Sequence, residues 1–235
     1  MSRTSRGLVP ALHVLTDTRE GRDPLPDVRA AVSSGPCAVQ VRAKDLSDRD
    51  HLALTLAVIA VARPAGCLVI VDDRVDVAVA ADADGVHLGA SDLPVDLVRT
   101  ITPPEFVIGA TARDALTAKA AEDLGASYLG VGPAYATTTK AGLPEPLGPE
   151  GVALVVAATS LPVIAVGGVT AAHVPALRAA GVHGVAVVTA VSEATHPTAA
   201  AAALAAALGC PPTPPTPPAA PGAPRSESRT TSTRA

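Results

Sequence analysis

Aromatic residues are almost missing from this chain: its 235 residues include one Phe, two Tyr and no Trp. A core made without rings must be layered from Val, Ala, Leu and Ile. Proteins that hold single-stranded nucleic acid offer aromatic platforms to successive bases, so that class is excluded. A formal net charge of −4 also removes the basic groove that a nucleic acid requires. Asparagine is absent, glutamine occurs once (Gln40), and three Lys (Lys44, Lys119, Lys140) stand against fifteen Arg. The survivors of such scarce types mark positions worth following. Three Cys (Cys37, Cys67, Cys210) are odd in number and lack metal-ligand spacing, which points to reduced thiols in a cytoplasm.

Long apolar runs are missing too. Met1 to Pro10 carries Arg3 and Arg6 but no stretch of signal-peptide length. Residues 151–172 hold no charged side chain and are long enough to suggest a membrane span. Pro162, the Gly167-Gly168 pair and Thr159-Ser160 divide that stretch into a helix, a turn and a short strand, so no membrane association is expected. From Pro211 onward the composition changes, with eight Pro in residues 211–224 followed by Ser, Thr and Arg. The expectation is a catalytic domain over 1–210 and a disordered or partly polyproline tail over 211–235. The tail holds three Arg and one Glu, which leaves 15 basic against 21 acidic residues in the domain. The domain is acidic overall, yet it keeps basic residues at particular places.

What is present is an alternation. β-Branched runs at 11–16, 37–43, 67–72, 85–89, 106–110, 128–132, 162–166 and 184–189 alternate with helical stretches. Those helices are expected near 25–34, 48–63, 74–81, 94–101, 113–124, 149–159, 171–180 and 198–208. Leu68-Val69-Ile70-Val71 and Val163-Ile164-Ala165-Val166 are continuous apolar runs, as expected of parallel strands buried on both faces. Eight such units predict an α/β fold, a single (β/α)8 TIM barrel. A doubly wound sheet is the alternative, but the first strand ends Leu15-Thr16-Asp17 without its Gly-rich fingerprint.

In a barrel the chemistry belongs at the carboxyl ends of the strands. Strand 2 reads Val39-Gln40-Val41-Arg42-Ala43-Lys44. A period of two puts Gln40, Arg42 and Lys44 on one face, a polar column of roughly 13 Å rising toward the rim. Such a column suits an anion, since buried charge is costly without a partner; an internal salt-bridge layer is the alternative. Strand 3 ends Asp72-Asp73-Arg74 and strand 4 leads through His87 to Asp92. Strands about 4.8 Å apart let Asp73 and Asp92 converge on one hard cation such as Mg2+, completed by substrate phosphate oxygens. Asp73 could instead cap a helix, Asp92 could be an ordinary loop residue, and His87 is read as a structural strand His.

After strand 6 the segment Gly130 to Lys140 opens a connection of roughly 15 residues, long for this fold and suited to a functional loop. Its Thr137, Thr138, Thr139 and Lys140 suit an oxyanion, although a solvated Thr-rich loop would read the same way. Gly167-Gly168 after strand 7, with Val188-Thr189 after strand 8, matches the usual place of a barrel phosphate site. No Ser–His or Cys–His pair is evident, nor a Lys placed for a Schiff base. The inventory suits departure of a diphosphate assisted by cations, with a second phosphorylated molecule attacking.

Taken in order over residues 11–208, these motifs resemble the thiamine-phosphate synthase family. The resemblance rests on Val39 to Lys44, Asp73-Arg74-Val75-Asp76, Asp84 to Gly89 with Asp92, Gly130 to Lys140, Gly167-Gly168 and Gly184 to Val191. It implies an enzyme joining hydroxymethylpyrimidine diphosphate to a thiazole phosphate through a dissociative, Mg2+-dependent step, with release of pyrophosphate. By position it assigns Gln40, Arg42, Lys44 and Lys140 to the pyrimidine diphosphate, with Arg42, Lys44 and Lys140 as the catalytic cations. Asp73 and Asp92 would bind Mg2+, and Thr137, Thr139, Gly168, Val188 and Thr189 the thiazole phosphate. Val41, Ala43, Asp72, Thr111 and Thr138 complete the expected substrate-binding set. The partners implied are these two small molecules, with homo-oligomerisation left open. Departures from the family pattern are Ala43 for Glu, Asp72 for an Asn that contacts the pyrimidine, Thr111 and Thr189 for Ser, Arg113 for His, and His13 for Tyr. A thiazole tautomerase and a non-catalytic binder of thiamine-type phosphates are the competing readings.

Overall fold

The computed structural model describes residues 9–139 and 142–210. The expected tail and Lys140 lie outside the described residues. Eight parallel strands close into one barrel in sequence order. They are β1 (Leu12–Leu15), β2 (Ala38–Val41), β3 (Leu68–Asp72), β4 (Gly85–Leu88), β5 (Val107–Ala112), β6 (Tyr128–Val131), β7 (Val163–Val166) and β8 (Gly184–Val187). Around them run α1 (Leu25–Ser33), α2 (Asp48–Ala62), α3 (Val75–Ala80), α4 (Val95–Ile101), α5 (Ala115–Asp123), α6 (Gly148–Val156), α7 (Val174–Ala179), α8 (Thr189–Ser192) and α9 (Pro197–Leu208). The four-residue α8 is an addition to the eight expected helices.

Local chemistry sets the helix ends. Ser47 caps α2 by accepting a hydrogen bond from the Asp50 N–H, and Asp114 with Thr117 forms a capping box on α5. In α9 Pro197 occupies the first turn and Gly209 closes the end at φ 73°. Uncharged residues 151–172 become the body of α6, a turn and β7. Among the described residues, no helix is long and apolar enough to cross a membrane.

Strand alternation divides the core into two layers. Val39, Val41, Val69, Val71, Val86, Ile108, Leu129 and Val131 point outward to the helices. Leu15, Ala38, Ile70, Val107, Tyr128, Ile164 and Ala186 fill the barrel interior. Among the described residues the phenol ring inside the barrel is that of Tyr128, and it needs room. A Cβ on Gly109 would lie 2.2 Å from the Tyr128 ring, and one on Gly130 would lie 2.7 Å from the His87 ring. Two glycines facing inward on neighbouring strands thus make the space for two rings.

Candidate active site

A cleft of about 200 Å³ opens at the carboxyl ends of the strands. On its β2 wall stand Gln40, Arg42 and Lys44, running from a buried floor residue to an exposed rim residue. The ladder of β2 ends at Val41, and Thr16 takes over there. Its hydroxyl donates to the Arg42 carbonyl (3.0 Å) and accepts from the Arg42 N–H (2.9 Å). The expected polar column is therefore present. Val41 and Ala43 are buried away from the cleft, Val41 in the outer layer. The period of two that turns their neighbours inward sends the Val41 side chain outward.

On the β3 side, Asp72 and Asp73 both line the cleft although they are consecutive. Asp73 has φ 63°, a left-handed conformation that breaks the alternation. Such a backbone costs of order 1 kcal/mol in a residue with a Cβ. Its N–H donates to the His87 carbonyl at 2.9 Å, holding the turn against β4. Arg74, not Asp73, stands at the N-cap of α3, without a side-chain cap bond. The Asp73 carboxylate pairs with the Lys44 ammonium at 2.6 Å. It also hydrogen-bonds the Asp92 carboxyl, which lies behind the cleft wall and accepts from the Gly89 N–H at 2.6 Å.

The charges of these three carboxyls separate. Burial pushes Asp73 up, but Lys44 and the hydrogen bond with Asp92 outweigh it, and the net shift is down. Asp92 goes up through burial and the Asp73 hydrogen bond. The contact between the two carboxyls thus splits them, Asp73 below and Asp92 above the usual carboxylate range. Burial, with the adjacent Asp73 charge, lifts Asp72 to about 7, while Arg42 and Lys44 pull it back in part. The buried Oδ1 of Asp72 has no hydrogen-bond partner among the described residues.

Opposite lies the Gly167-Gly168 corner of β7, with Val188 and Thr189 at the start of α8. Residues 132–139 of the connection that follows β6 pack over this corner. Ala134 N–H donates to the Val166 carbonyl (2.8 Å) and Tyr135 N–H to that of Gly167 (3.0 Å). Arg113 straps the same connection through the carbonyls of Gly132 (3.1 Å) and Glu145 (2.9 Å). Thr137 and Thr139 line the cleft, and the Thr137 hydroxyl donates to that of Thr139 at 3.2 Å. Thr138 between them is exposed and does not border the cleft.

Two polar cleft residues were given no site role by the sequence reading, His87 and Tyr128. His87, expected to be structural, faces inward from β4 and meets Thr111 across β5. Tyr128 could have been followed on the same scarcity that singled out Gln40, since it is one of two Tyr. Beneath both, fully buried His13 hydrogen-bonds the Pro10 carbonyl, and burial lowers its pKa to about 3. An unfolded His takes its proton near 6.5. Between these values the unfolded chain binds more protons than the folded one, so stability falls as pH falls through 6.5 toward 3. Between pH 6.5 and pH 5 the loss should be roughly 2 kcal/mol. Urea unfolding of the protein and of His13→Gln at both pH values measures it, and equal pH dependence in the two would refute the assignment.

Comparison with known proteins agrees with this geometry. Residues 12–191 match the sequence profile of the thiamine monophosphate synthase family. A thiamine-phosphate synthase of Salinispora arenicola is 52% identical over 179 residues, covering 75% of this chain and 86% of its own. One from Methanoculleus marisnigri is 44% identical over 178 residues, covering 75% of this chain and 84% of its own. Among solved structures, thiamine phosphate pyrophosphorylase from Pyrococcus furiosus superposes with a TM-score of 0.78 at 34% identity, over 87% of this chain and 97% of its own.

Proposed function

The chain belongs to the thiamine monophosphate synthase family, and we propose from that membership and from the cleft a reaction with named roles. The protein joins 4-amino-2-methyl-5-hydroxymethylpyrimidine diphosphate to 4-methyl-5-(2-phosphoethyl)thiazole. A bond forms between the pyrimidine methylene carbon and the thiazole nitrogen, and the bond from that carbon to the diphosphate oxygen breaks. The products are thiamine phosphate and pyrophosphate. The observation that carries this reading is one cleft in which the cationic column meets Asp73, itself bonded to Asp92, with a glycine corner opposite.

Arg42 and Lys44 hold the diphosphate and neutralise the charge it gains on leaving, an electrostatic stabilisation that requires no protein nucleophile. Lys140 is assigned to the same group by resemblance. Departure leaves positive charge on the pyrimidine methylene, near Asp72, whose unpartnered Oδ1 is a ready contact for the ring. The thiazole phosphate is assigned to the Gly168, Val188 and Thr189 corner, with Thr137 and Thr139 above it.

The carboxylate pair also fits a divalent cation. Among the described residues no group of three or more His, Cys, Asp or Glu is placed to hold a metal. Two adjacent carboxylates, one of them on the cleft, are nonetheless a donor set that suits a Mg2+ ion completed by substrate oxygens and water. Asp73 and Asp92 would hold it, and the chemistry it supplies is further neutralisation of the leaving diphosphate. A cytoplasmic setting and small phosphorylated molecules as the partners complete the reading.

The test is a product assay with both phosphorylated substrates and Mg2+, followed by chromatography. Thiamine phosphate and pyrophosphate in equal amounts support the proposal. Isomerised thiazole alone would indicate a tautomerase, and tight binding without turnover a binder. Lys44→Ala is expected to lower kcat/KM by roughly a hundredfold. Lys119→Ala should leave it unchanged, because Lys119 is exposed on α5 and pairs with Asp123. Equal effects would refute the column's role.

A further inference from the structure

The polar groups of the barrel floor join into a line that the reaction as proposed does not use. His13 Nε2 lies 3.0 Å from the Pro10 carbonyl, and His13 Nδ1 lies 2.8 Å from Gln40 Nε2. Gln40 Nε2 lies 3.2 Å from the Tyr128 hydroxyl, and that hydroxyl lies 3.0 Å from His87 Nδ1. His87 Nε2 is 3.1 Å from the Thr111 hydroxyl. Thr111 borders the cleft.

Donor and acceptor rules give this line a direction. A proline carbonyl only accepts, so His13 must carry its hydrogen on Nε2. The ring is neutral, burial having removed its second proton. Its Nδ1 therefore accepts, and Gln40 must turn its amide NH2 toward it. That NH2 has a second hydrogen, which goes to the Tyr128 oxygen. Tyr128, already accepting there, donates to His87 Nδ1. His87 then carries hydrogen on Nε2 and donates it to the Thr111 oxygen.

We infer that His13, Gln40, Tyr128, His87 and Thr111 form one oriented hydrogen-bond chain, in which Tyr128 fixes the His87 tautomer and makes Thr111 present its hydroxyl hydrogen to the cleft. Tyr128 and His87 are then positioning residues, and the ligand atom that meets Thr111 is an acceptor. Packing enforces the arrangement: the Tyr128 ring sits between those of His13 (centroids 5.2 Å) and His87 (5.5 Å). A Cβ on Gly109 would come within 2.5 Å of His87 Nδ1 and 2.4 Å of the Tyr128 oxygen. At the start of the line His13 and Pro10 set the orientation of Gln40.

Identifying the ligand as the pyrimidine diphosphate rests on the function proposed above; the tautomer does not. The experiment is imidazole 15N NMR of the full chain without ligand, with His87 assigned by its loss in His87→Gln. The expected spectrum shows hydrogen on Nε2 of His87, moving toward a mixture of tautomers in Tyr128→Phe. In kinetics, Tyr128→Phe should raise KM for the pyrimidine diphosphate by roughly tenfold and leave that for the thiazole phosphate unchanged. Hydrogen on Nδ1 of His87 in the unmodified protein would overturn the inference, and that reading needs no variant to fold. So would an unchanged tautomer in Tyr128→Phe, or equal rises in both KM values. Absence of turnover in the unmodified protein would refute the proposed reaction while the NMR still decides the chain.

Discussion

Asp92→Asn is expected to lower kcat/KM by a hundredfold or more while leaving the protein as stable as before, or more so. The two effects part because Asp92 does two things. Its carboxyl accepts from the Gly89 N–H, which shapes the β4 exit, and it faces Asp73. An amide oxygen still accepts from Gly89, so the loop keeps its form. An amide NH2 donates to Asp73 without competing for a proton, which removes the cost of setting two carboxyls together. What is lost is one of two anionic donors for a hard cation. Raised Mg2+ should therefore recover part of the activity, since weakened binding is offset by mass action. Asp92→Ala should lose activity to a similar extent and stability as well, because the Gly89 N–H is orphaned. Full turnover of Asp92→Asn at ordinary Mg2+ would remove Asp92 from the metal site.

The carboxylate pair shows how far residue order alone carries. Strand periodicity and an eightfold alternation are local properties, so the barrel and the Gln40–Arg42–Lys44 column could be read directly. Asp73 and Asp92 were legible as neighbours because adjacent strands in a parallel sheet have a fixed spacing. That Asp72 and Asp73 would both face inward was not, since it depends on the left-handed turn at Asp73. His87 and Tyr128 stayed hidden for a different reason. Their meeting depends on the register of β4, β5 and β6, which pairs His87 with Gly109 and Gly109 with Tyr128. One slipped residue would turn each ring to the other layer. Substrate contact by Val41, Ala43 and Thr138 was inferred from motif position, and a motif lists neighbours in sequence whichever way their side chains face.

Gly168→Ala should reduce kcat/KM for the thiazole phosphate about a hundredfold. Two independent costs meet there. Gly168 has φ 63°, which an alanine tolerates at about 1 kcal/mol. The added Cβ would also lie 2.3 Å from the Ala136 carbonyl oxygen and 3.0 Å from the Tyr135 backbone. Both neighbours are main chain, so neither can swing aside. Tyr135 is further held by stacking on His173 at 3.9 Å and by its N–H bond to Gly167. Relief must come from lifting residues 134–139, which carries Thr137 and Thr139 away from the corner. KM for the pyrimidine diphosphate should change little, because the β2 column lies across the cleft. Gly21→Ala separates the two costs: its φ is 72°, but a Cβ there meets nothing within 4 Å. It should lose about 1 kcal/mol of stability and no activity. If Gly168→Ala behaved like Gly21→Ala, the connection would not be seated on the glycine corner, and the thiazole phosphate would have to be placed elsewhere.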